Sequence, residues 1–224
     1  MNEKRLVIIG AGWHGGELYS YVRELIAAGE PLQLLGFVDE QRPAGPWGTT
    51  QVIGNFNDLG YLLARDPHMV VHYITATGNN KVREAFVRKV DELALDNLVP
   101  WTLQHPRAAV GYDNEIGEGT CLAPGSVITT RARIGKHCII NVNASVSHDC
   151  TVGDFANINP GVVLAGNVRI GRGAFIGAGA TVIDKISIGE NTIVGAGAVV
   201  IRDLPDNVTA VGVPARVIKR NPNA

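Results

Sequence analysis

The sequence is poor in aromatic residues, poor in cysteine and nearly balanced in charge. Aromatic residues occupy 6% of the 224 positions, and only three positions are cysteines. Because an odd number of cysteines leaves at least one thiol unpaired, we interpret Cys121, Cys138 and Cys150 as packing residues. The formal net charge of −1 gives no electrostatic reason to expect nucleic acid or an anionic membrane as a partner.

Long apolar runs are also missing. No stretch approaches the roughly 20 apolar residues that cross a bilayer. In the opening segment MNEKRLVIIGAG the apolar run ends in glycines after four or five residues, which is unlike a secretory signal. The cysteines form no C-x-x-C motif. We therefore expect a cytoplasmic protein with no membrane span, no nucleic-acid partner and no metal.

A strict repeat with a period of six residues fills the second half of the chain. Steps of six from Val110 to Val200 meet sixteen positions, and each one is Ile, Leu or Val. The position four residues after each is mostly small and includes Cys138 and Cys150. Six residues form a short strand and a sharp turn, so three such units close a coil with the aliphatic side chains inside. This pattern predicts an all-β parallel β-helix of a little over five coils, in a domain spanning 106–224.

The first part of the chain, 1–105, predicts a small α/β domain of Rossmann type. Its pattern is strand, tight turn and helix, followed by further strands and a second long helix. The predicted strands are 6–9, 33–40 and 69–79, and the predicted helices follow the first turn through Ala28 and occupy 80–95.

The first turn has the glycine pattern G-x-G-x-x-G in the sequence GAGWHG. It lies between a predicted strand and a predicted helix, and Asp39 ends the next strand. Such a turn brings backbone N–H groups and a helix N-terminus to a diphosphate. A turn that only packs a helix on a strand would use the same glycines. Too few residues precede the β-helix for a nicotinamide dehydrogenase with its own catalytic domain.

These two parts, together with the segment GVPA at 212–215, resemble the bacterial nucleotide-sugar N-acetyltransferases. Members of that family join a short Rossmann-like domain to a left-handed hexapeptide β-helix, and the sialic acid O-acetyltransferases share the plan. They acetylate UDP-, GDP- or dTDP-linked 4-amino sugars on the way to surface glycans. The resemblance covers nearly the whole chain. It implies a homotrimer that binds acetyl-CoA between adjacent β-helices and the nucleotide in the N-terminal domain.

The resemblance also implies catalytic residues. The family's histidine with a following acidic residue is matched by His148 and Asp149, and the asparagine seven positions earlier by Asn141. The family's glycine eighteen residues after the histidine, whose amide binds the thioester oxygen, is matched by Gly166. A direct contact between His148 and Asp149 requires a corner between them, because neighbouring strand residues face opposite ways.

The repeat leads to Gly166 independently of the resemblance. His148 lies outside both inward registers, so its side chain is predicted to point out of the coil. Gly166 lies one coil of eighteen residues further on, and stacked parallel strands are about 5 Å apart. A backbone without a side chain is therefore predicted beside the imidazole.

The remaining predicted site residues bind the two substrates. For the sugar nucleotide they include Trp13, which replaces a glycine usual in the family, and Asn157, at a variable polar position. For CoA, the open backbone of three residues is predicted to pair with pantetheine amides, and two basic residues either meet the phosphates or only keep the C-terminus soluble. The nucleotide set is Gly10, Gly12, Trp13, His14, Gly15, Asp39 and Asn157, and the CoA set is Gly166, Ala178, Gly195, Ala196, Arg216 and Lys219.

The sequence thus predicts an acetyl-CoA-dependent N-acetyltransferase of a nucleotide-linked 4-amino-4,6-dideoxy sugar, with His148 as the base in a direct transfer. The closest alternative is a sialic acid-type O-acetyltransferase. A non-catalytic β-helix scaffold is a further alternative, and a β-helix zinc hydratase would need three histidines where the repeat has His137 and His148. The base of the nucleotide, the configuration at C4 and the length of the acyl group stay open.

Overall fold

The computed structural model describes residues 3–221. The chain divides into two compact units between Trp101 and Thr102. The first unit combines helices with a six-stranded sheet, and the second consists of stacked parallel strands. No helix formed by residues 3–221 has the length and apolar character needed to cross a bilayer.

In the first unit a central strand is flanked on both sides by parallel partners. The sheet order is β3-β4-β2-β1-β5-β6, and only the β3–β4 pair is antiparallel. Its core lies around β1, whose last four residues are buried. The elements are β1 (Lys4–Ile9), α1 (Trp13–Ala27), β2 (Leu32–Val38), β3 (Gly45–Trp47), β4 (Thr50–Gly54), α2 (Phe56–Arg65), β5 (Val71–Thr75), α3 (Asn80–Glu92) and β6 (Leu98–Pro100).

The predicted Rossmann-type pattern is confirmed for β1, α1, β2, β5 and α3, but four elements were not predicted. These are the β3–β4 hairpin, helix α2 and strand β6. Helix α2 begins at a capping box, in which the Asn55 side chain accepts from two backbone N–H groups and Asp58 bonds back to the Asn55 amide. The spacing N-x-x-D is the sequence signal that would have located this helix.

The second unit is a left-handed parallel β-helix, as the period of six predicts. Two-residue strands repeat every six residues and stack into three sheets. The interior holds the aliphatic residues of the repeat, with the small register between them. The strands are β7 (Leu103–Gln104), β8 (Ala109–Val110), β9 (Glu115–Ile116), β10 (Cys121–Leu122), β11 (Val127–Ile128), β12 (Arg133–Ile134), β13 (Ile139–Ile140), β14 (Ser145–Val146), β15 (Thr151–Val152), β16 (Asn157–Ile158), β17 (Val163–Leu164), β18 (Arg169–Ile170), β19 (Phe175–Ile176), β20 (Thr181–Val182), β21 (Ser187–Ile188), β22 (Ile193–Val194), β23 (Val199–Val200), β24 (Val208–Val211) and β25 (Arg216–Arg220).

The β-helix extends further at both ends than the repeat predicts. Strand β7 pairs with β10, because residues 103–104 already follow the ladder one coil before 121–122. The structural division thus lies four residues before the predicted boundary at 105. At the other end β24 continues the ladder beside β22, and β25 folds back antiparallel on β24. All three cysteines are buried and free, which confirms their interpretation as packing residues.

Candidate functional site

His148 lies at a corner of the β-helix, between β14 and β15. Its side chain is 53% exposed, so the prediction that it points out of the coil is confirmed. Its imidazole Nδ1 lies 2.7 Å from Oδ2 of Asp149. Asp149 adopts a φ of +60°, which turns the chain between the two residues and brings both side chains to the same side. The corner that a direct contact between His148 and Asp149 requires is therefore present.

Arg131 completes this cluster and was not predicted. Its Nε donates to Oδ1 of Asp149 at 2.7 Å, and its Nη2 donates to Oδ2 at 3.0 Å. Arg131 precedes Asp149 by eighteen residues, so the two share one corner on successive coils. The same one-coil step that predicts Gly166 from His148 would have found Arg131 from Asp149.

The carboxylate of Asp149 is held in its ionised form. Hydrogen bonds from Arg131 and then from His148 lower the pKa of Asp149 to about 2. An ionised carboxylate only accepts hydrogen bonds, so Nδ1 of His148 carries the proton that joins the two groups. In the neutral ring the lone pair is then on Nε2. The geometry thus selects the tautomer whose Nε2 can accept a proton.

Gly166 lies directly beside this nitrogen. A Cβ built on Gly166 would stand 2.5 Å from both Nε2 and Cε1 of His148, closer than any side chain can approach. The Gly166 carbonyl accepts from the Lys185 amide at 3.0 Å, whereas its N–H donates to no backbone carbonyl within residues 3–221. The structure therefore brings together His148, Asp149 and Gly166, with an amide N–H that the ladder leaves unused next to the imidazole.

Asn141 and Asn157 are not part of this cluster. Asn141 lies at a different corner, between β13 and β14, and its Oδ1 accepts from the Val142 amide at 2.7 Å. Asn157 is 1% exposed on strand β16, between Ile139 and Phe175 in the ladder. Because a substrate outside the coil cannot reach a side chain buried in this way, the structure does not place Asn157 at a substrate surface.

The corner that carries Asn141 also carries the predicted CoA amides. Ala178 and Ala196 lie one coil apart there, and within residues 3–221 neither N–H donates to a backbone carbonyl. Gly195 differs, since its N–H donates to Ala210 at 2.8 Å and its carbonyl accepts from Ala198 at 3.3 Å. The prediction that Gly195 offers open backbone is therefore wrong, because the ladder uses its N–H and a turn within the corner uses its carbonyl.

Arg216 and Lys219 both lie on β25, the outermost strand of its sheet. All five residues of this strand are exposed. Nη1 of Arg216 donates to the Ala215 carbonyl at 3.0 Å. Both cationic groups are thus at a solvent-facing edge beyond the GVPA turn.

The glycine turn of the first unit is built for close approach. Gly10 has a φ of +106°, and a Cβ there would meet the Ala76 carbonyl oxygen at 2.9 Å. A Cβ on Gly15 would collide with the Gly10 carbonyl, so helix α1 can pack tightly on the turn only with glycine. Gly12 is the N-cap of α1 and has no atom within 4 Å of its Cβ position, which leaves the helix N-terminus open.

A cavity of about 250 Å³ opens beside this turn. It lies where β1, β2 and β5 end, and β2 and β5 flank β1 on opposite sides of the sheet. In open α/β sheets, ligands bind outside the carboxyl ends of the strands at such a switch point. The residues that line the cavity are Gly10, Gly12, Asp39, Glu40, Gln41, Ala76, Thr77, Val82 and Phe86.

Asp39 joins the turn to the following loop. Its Oδ2 accepts from the Ala11 amide at 2.7 Å, and its Oδ1 accepts from the Gln41 and Arg42 amides at 2.8 and 3.0 Å. Burial alone would raise the pKa of Asp39, but these three N–H groups and the Arg42 charge bring it below the usual value. The carboxylate thus fixes the shape of the cavity wall.

Trp13 and His14 follow Gly12 and differ sharply in their surroundings. The Trp13 side chain is 99% exposed. Nδ1 of His14 lies 2.8 Å from Glu17, and this hydrogen bond lowers the pKa of Glu17. Nε2 of His14 is buried and has no hydrogen-bond partner within residues 3–221. His14 is therefore a packed residue of the turn, whereas Trp13 is free to meet a ligand.

No group of three His, Cys, Asp or Glu side chains in the described part of the chain could hold a metal ion. His68 and His72 are four residues apart, but His72 is on strand β5 and His68 lies in the turn before it. They therefore do not share a helix face.

Both units of the chain match known protein families. Residues 5–90 match the PglD N-terminal domain, and residues 131–166 and 167–202 match the bacterial transferase hexapeptide repeats. A solved structure of PerB from Caulobacter crescentus, in complex with CoA and GDP-perosamine, superposes with a TM-score of 0.84 at 36% identity and covers 96% of this chain and 97% of its own. The chain belongs to the nucleotide-sugar N-acetyltransferase family.

Two curated family members show similarity over part of their length. GDP-perosamine N-acetyltransferase of Escherichia coli O157:H7 is 30% identical over 63% of this chain and 61% of its own length. UDP-N-acetylbacillosamine N-acetyltransferase of Bacillus subtilis strain 168 is 39% identical over 53% and 51%. The chain thus spans less than two thirds of these two family members, whose nucleotides carry different bases.

Proposed function

We propose that the chain is an acetyl-CoA-dependent N-acetyltransferase that acylates the 4-amino group of a nucleotide-linked 4-amino-4,6-dideoxy sugar. The observation that carries the proposal is the cluster of His148, Asp149 and Gly166. It combines an imidazole whose Nε2 carries the lone pair, a carboxylate on Nδ1 and, beside the ring, an amide N–H that donates to no backbone carbonyl within residues 3–221. The family members that act on GDP-perosamine and UDP-N-acetylbacillosamine support an amine acceptor over the hydroxyl of a sialic acid-type sugar.

In the proposed reaction His148 acts as a general base. Its Nε2 accepts a proton from the sugar amine while the amine nitrogen forms a bond to the thioester carbon. The C–S bond then breaks, and the thiolate of CoA leaves and takes up a proton. Asp149 stabilises the imidazolium through Nδ1. The Gly166 amide donates to the oxygen that becomes negative in the tetrahedral intermediate, a contact whose loss typically costs about 10²- to 10³-fold in kcat.

The acceptor nucleotide would bind in the cavity of the first unit. The open N-terminus of α1 at Gly12 supplies N–H groups and a positive dipole end for the diphosphate. Gly10 and Gly15 keep the backbone close to it. Oδ2 of Asp39 accepts one N–H and so has a lone pair left for the ribose or the base. Trp13, next to the diphosphate position, would cover the bound nucleotide.

The active site would lie between subunits of a homotrimer. Asn141, Ala178 and Ala196 share one corner of the coil, whereas His148 and Gly166 are at another. A single coil cannot bring two of its own corners together, so a neighbouring copy must supply one of them. The Ala178 and Ala196 amides would then pair with pantetheine, with Arg216 and Lys219 near the CoA phosphates. Acetyl-CoA and nucleotide sugars are made in the cytoplasm, where we expect the enzyme to work.

The test is turnover of acetyl-CoA with a panel of UDP-, GDP- and dTDP-4-amino-4,6-dideoxy sugars, followed by thiol release. One sugar should be acetylated, and His148→Ala and His148→Asn should lower kcat by about 10²- to 10⁴-fold. His68→Ala is the matched control, because His68 is an exposed histidine of the other unit. If all amino sugars are inert while a sialic acid-type hydroxyl is acetylated, the N-acetyltransferase proposal is wrong.

A further inference from the structure

We propose that Arg131 is a positioning residue for His148, acting through Asp149. Arg131 holds the carboxylate in place and offsets its charge, so that the imidazole is held with Nε2 beside Gly166. This role rests on the proposed function, in which His148 must accept a proton. The contact between His148 and Asp149 does not itself require an arginine one coil earlier, so Arg131 adds a further function to the pair.

The contact is bidentate and shared. Nε and Nη2 of Arg131 engage the two different oxygens of Asp149, and Oδ2 also lies 2.7 Å from Nδ1 of His148. A guanidinium fork that binds both oxygens fixes the rotation of the carboxylate as well as its position. Oδ2 is therefore held where Nδ1–H can donate to it, and the ring is held with Nε2 beside Gly166.

The backbone prepares this arrangement. Arg131 and Asp149 both adopt positive φ, +53° and +60°, at equivalent points on successive coils. The Arg131 amide donates to the Tyr112 carbonyl at 3.2 Å, and the Asp149 amide donates to the Thr130 carbonyl at 3.1 Å. These equivalent turns place the two side chains one ladder step, about 4.8 Å, apart.

The charge of Arg131 has a chemical consequence. A carboxylate on Nδ1 stabilises the imidazolium, and a histidine that is already protonated cannot act as a base. A cation bound to the same carboxylate opposes that stabilisation. Within residues 3–221 Arg131 is the cation in contact with Asp149. The other charges of this corner are Asp113, one coil before Arg131, and the Asp184 and Lys185 pair, one coil beyond Gly166, whose charged atoms are 4.0 Å apart.

Arg133 provides a matched control. It belongs to the same coil, is also exposed, and pairs with Glu115 at 3.3 Å rather than with Asp149. Arg133→Ala therefore removes the same charge from nearly the same place without touching the Asp149 carboxylate. Arg131→Lys is the second informative variant, since it keeps a positive charge but loses the two-point contact.

The experiment measures the titration of the His148 imidazole by NMR in the full-length protein, together with the pH profile of kcat/KM. In Arg131→Ala the midpoint of the His148 titration and the acid limb of the profile should both move upward by about half to one pH unit. Asp149→Asn should move the midpoint in the opposite direction. Arg131→Lys should keep the wild-type midpoint while kcat falls, and Arg133→Ala should match wild type in both measurements.

An unchanged midpoint and pH profile in Arg131→Ala, or the same shift in Arg133→Ala, would overturn the proposal. Comparing the thermal unfolding of each variant with wild type separates these results from loss of the fold. The NMR titration needs no turnover. If the wild-type protein acetylated none of the amino sugars and the midpoint still shifted, the proposed function would fail while the electrostatic role of Arg131 stood.

Discussion

The two units of the chain differ in how far a residue's surroundings can be derived from its number. In the β-helix every residue lies above the one eighteen positions earlier, so the ladder step from His148 leads to Gly166 and the step from Asp149 leads back to Arg131. In the α/β unit no such rule exists, and each turn has its own solution. Asp39 reaches the Ala11 amide across 28 positions, and no period in the sequence indicates that contact.

This difference implies different responses to a shift of register. Arg169 is an exposed strand residue, and its removal puts every inward position from Ile170 to Val200 out of phase. A deletion cannot be accommodated by bulging out of a corner, so aliphatic side chains must turn to solvent or coils must come apart. We expect the deletion to cost roughly 5 kcal/mol or more, or to abolish folding. Urea unfolding followed by circular dichroism measures this free energy.

Two control variants separate the loss of register from the loss of one side chain or one residue. Arg169→Ala keeps the register and should change the free energy of unfolding by less than about 0.5 kcal/mol. Deletion of Ala44, in an exposed loop of the α/β unit, should cost less than about 1 kcal/mol, because no repeated register follows it. If deletion of Arg169 lowered the free energy of unfolding no more than deletion of Ala44 does, the repeat register would not determine the stability of the β-helix.

The second prediction concerns Gly166 and tests whether the ladder geometry governs the site. In Gly166→Ala the new Cβ would overlap the His148 ring and displace Nε2. A displacement of about 1 Å can cost about a hundredfold, so we expect kcat to fall by about 10- to 100-fold. Steady-state kinetics with the identified sugar nucleotide, together with thermal unfolding, provides the measurement.

Gly179→Ala is the control for this change. Gly179 has a φ of +68° and nothing within 4 Å of its Cβ position, so alanine there adds backbone strain without a collision. It should cost about 1 kcal/mol of stability and leave kcat near wild type. If kcat fell equally in the two variants, the effect of Gly166→Ala would come from a general distortion of the β-helix and not from the collision with His148.

The sequence predicts more of the β-helix than of the α/β unit, because only the β-helix has a repeat that fixes the neighbours of each residue. All sixteen inward positions were identified, because a repeat in which each coil covers the next leaves no freedom in what faces inward. Helix α2 was missed although its buried Phe56, Leu59 and Leu63 follow helical spacing and its first turn has a capping box. The β3–β4 hairpin was missed because its strands are short and it depends on a two-residue turn. The hairpin matters for the turn, since Nε1 of Trp47 donates to the Ala11 carbonyl at 3.2 Å.

The candidate site shows the same division. The outward side chain of His148 and the neighbouring Gly166 follow from the repeat. The contact between His148 and Asp149 depends on one positive φ, and the open amides depend on which N–H groups the ladder leaves unused. Gly195 was assigned wrongly for this second reason, because β24 continues the ladder past the last hexad and takes up its N–H.

The smallest effect is expected at Trp13, which we compare with Trp47, another tryptophan of the α/β unit. Trp47 is half-buried against Phe37, with ring centroids 4.5 Å apart, whereas Trp13 is almost fully exposed at the start of α1. Trp13→Ala should leave thermal stability unchanged and raise KM for the sugar nucleotide by roughly 3- to 10-fold, with kcat nearly unaffected, because an exposed ring contributes only by stacking on a ligand. Tyr61→Ala is the control, since Tyr61 is 72% exposed on α2 and does not line the cavity at the glycine turn. An unchanged KM in Trp13→Ala would mean that the exposed tryptophan does not contact the nucleotide, and that recognition depends on the turn backbone and the other residues that line the cavity.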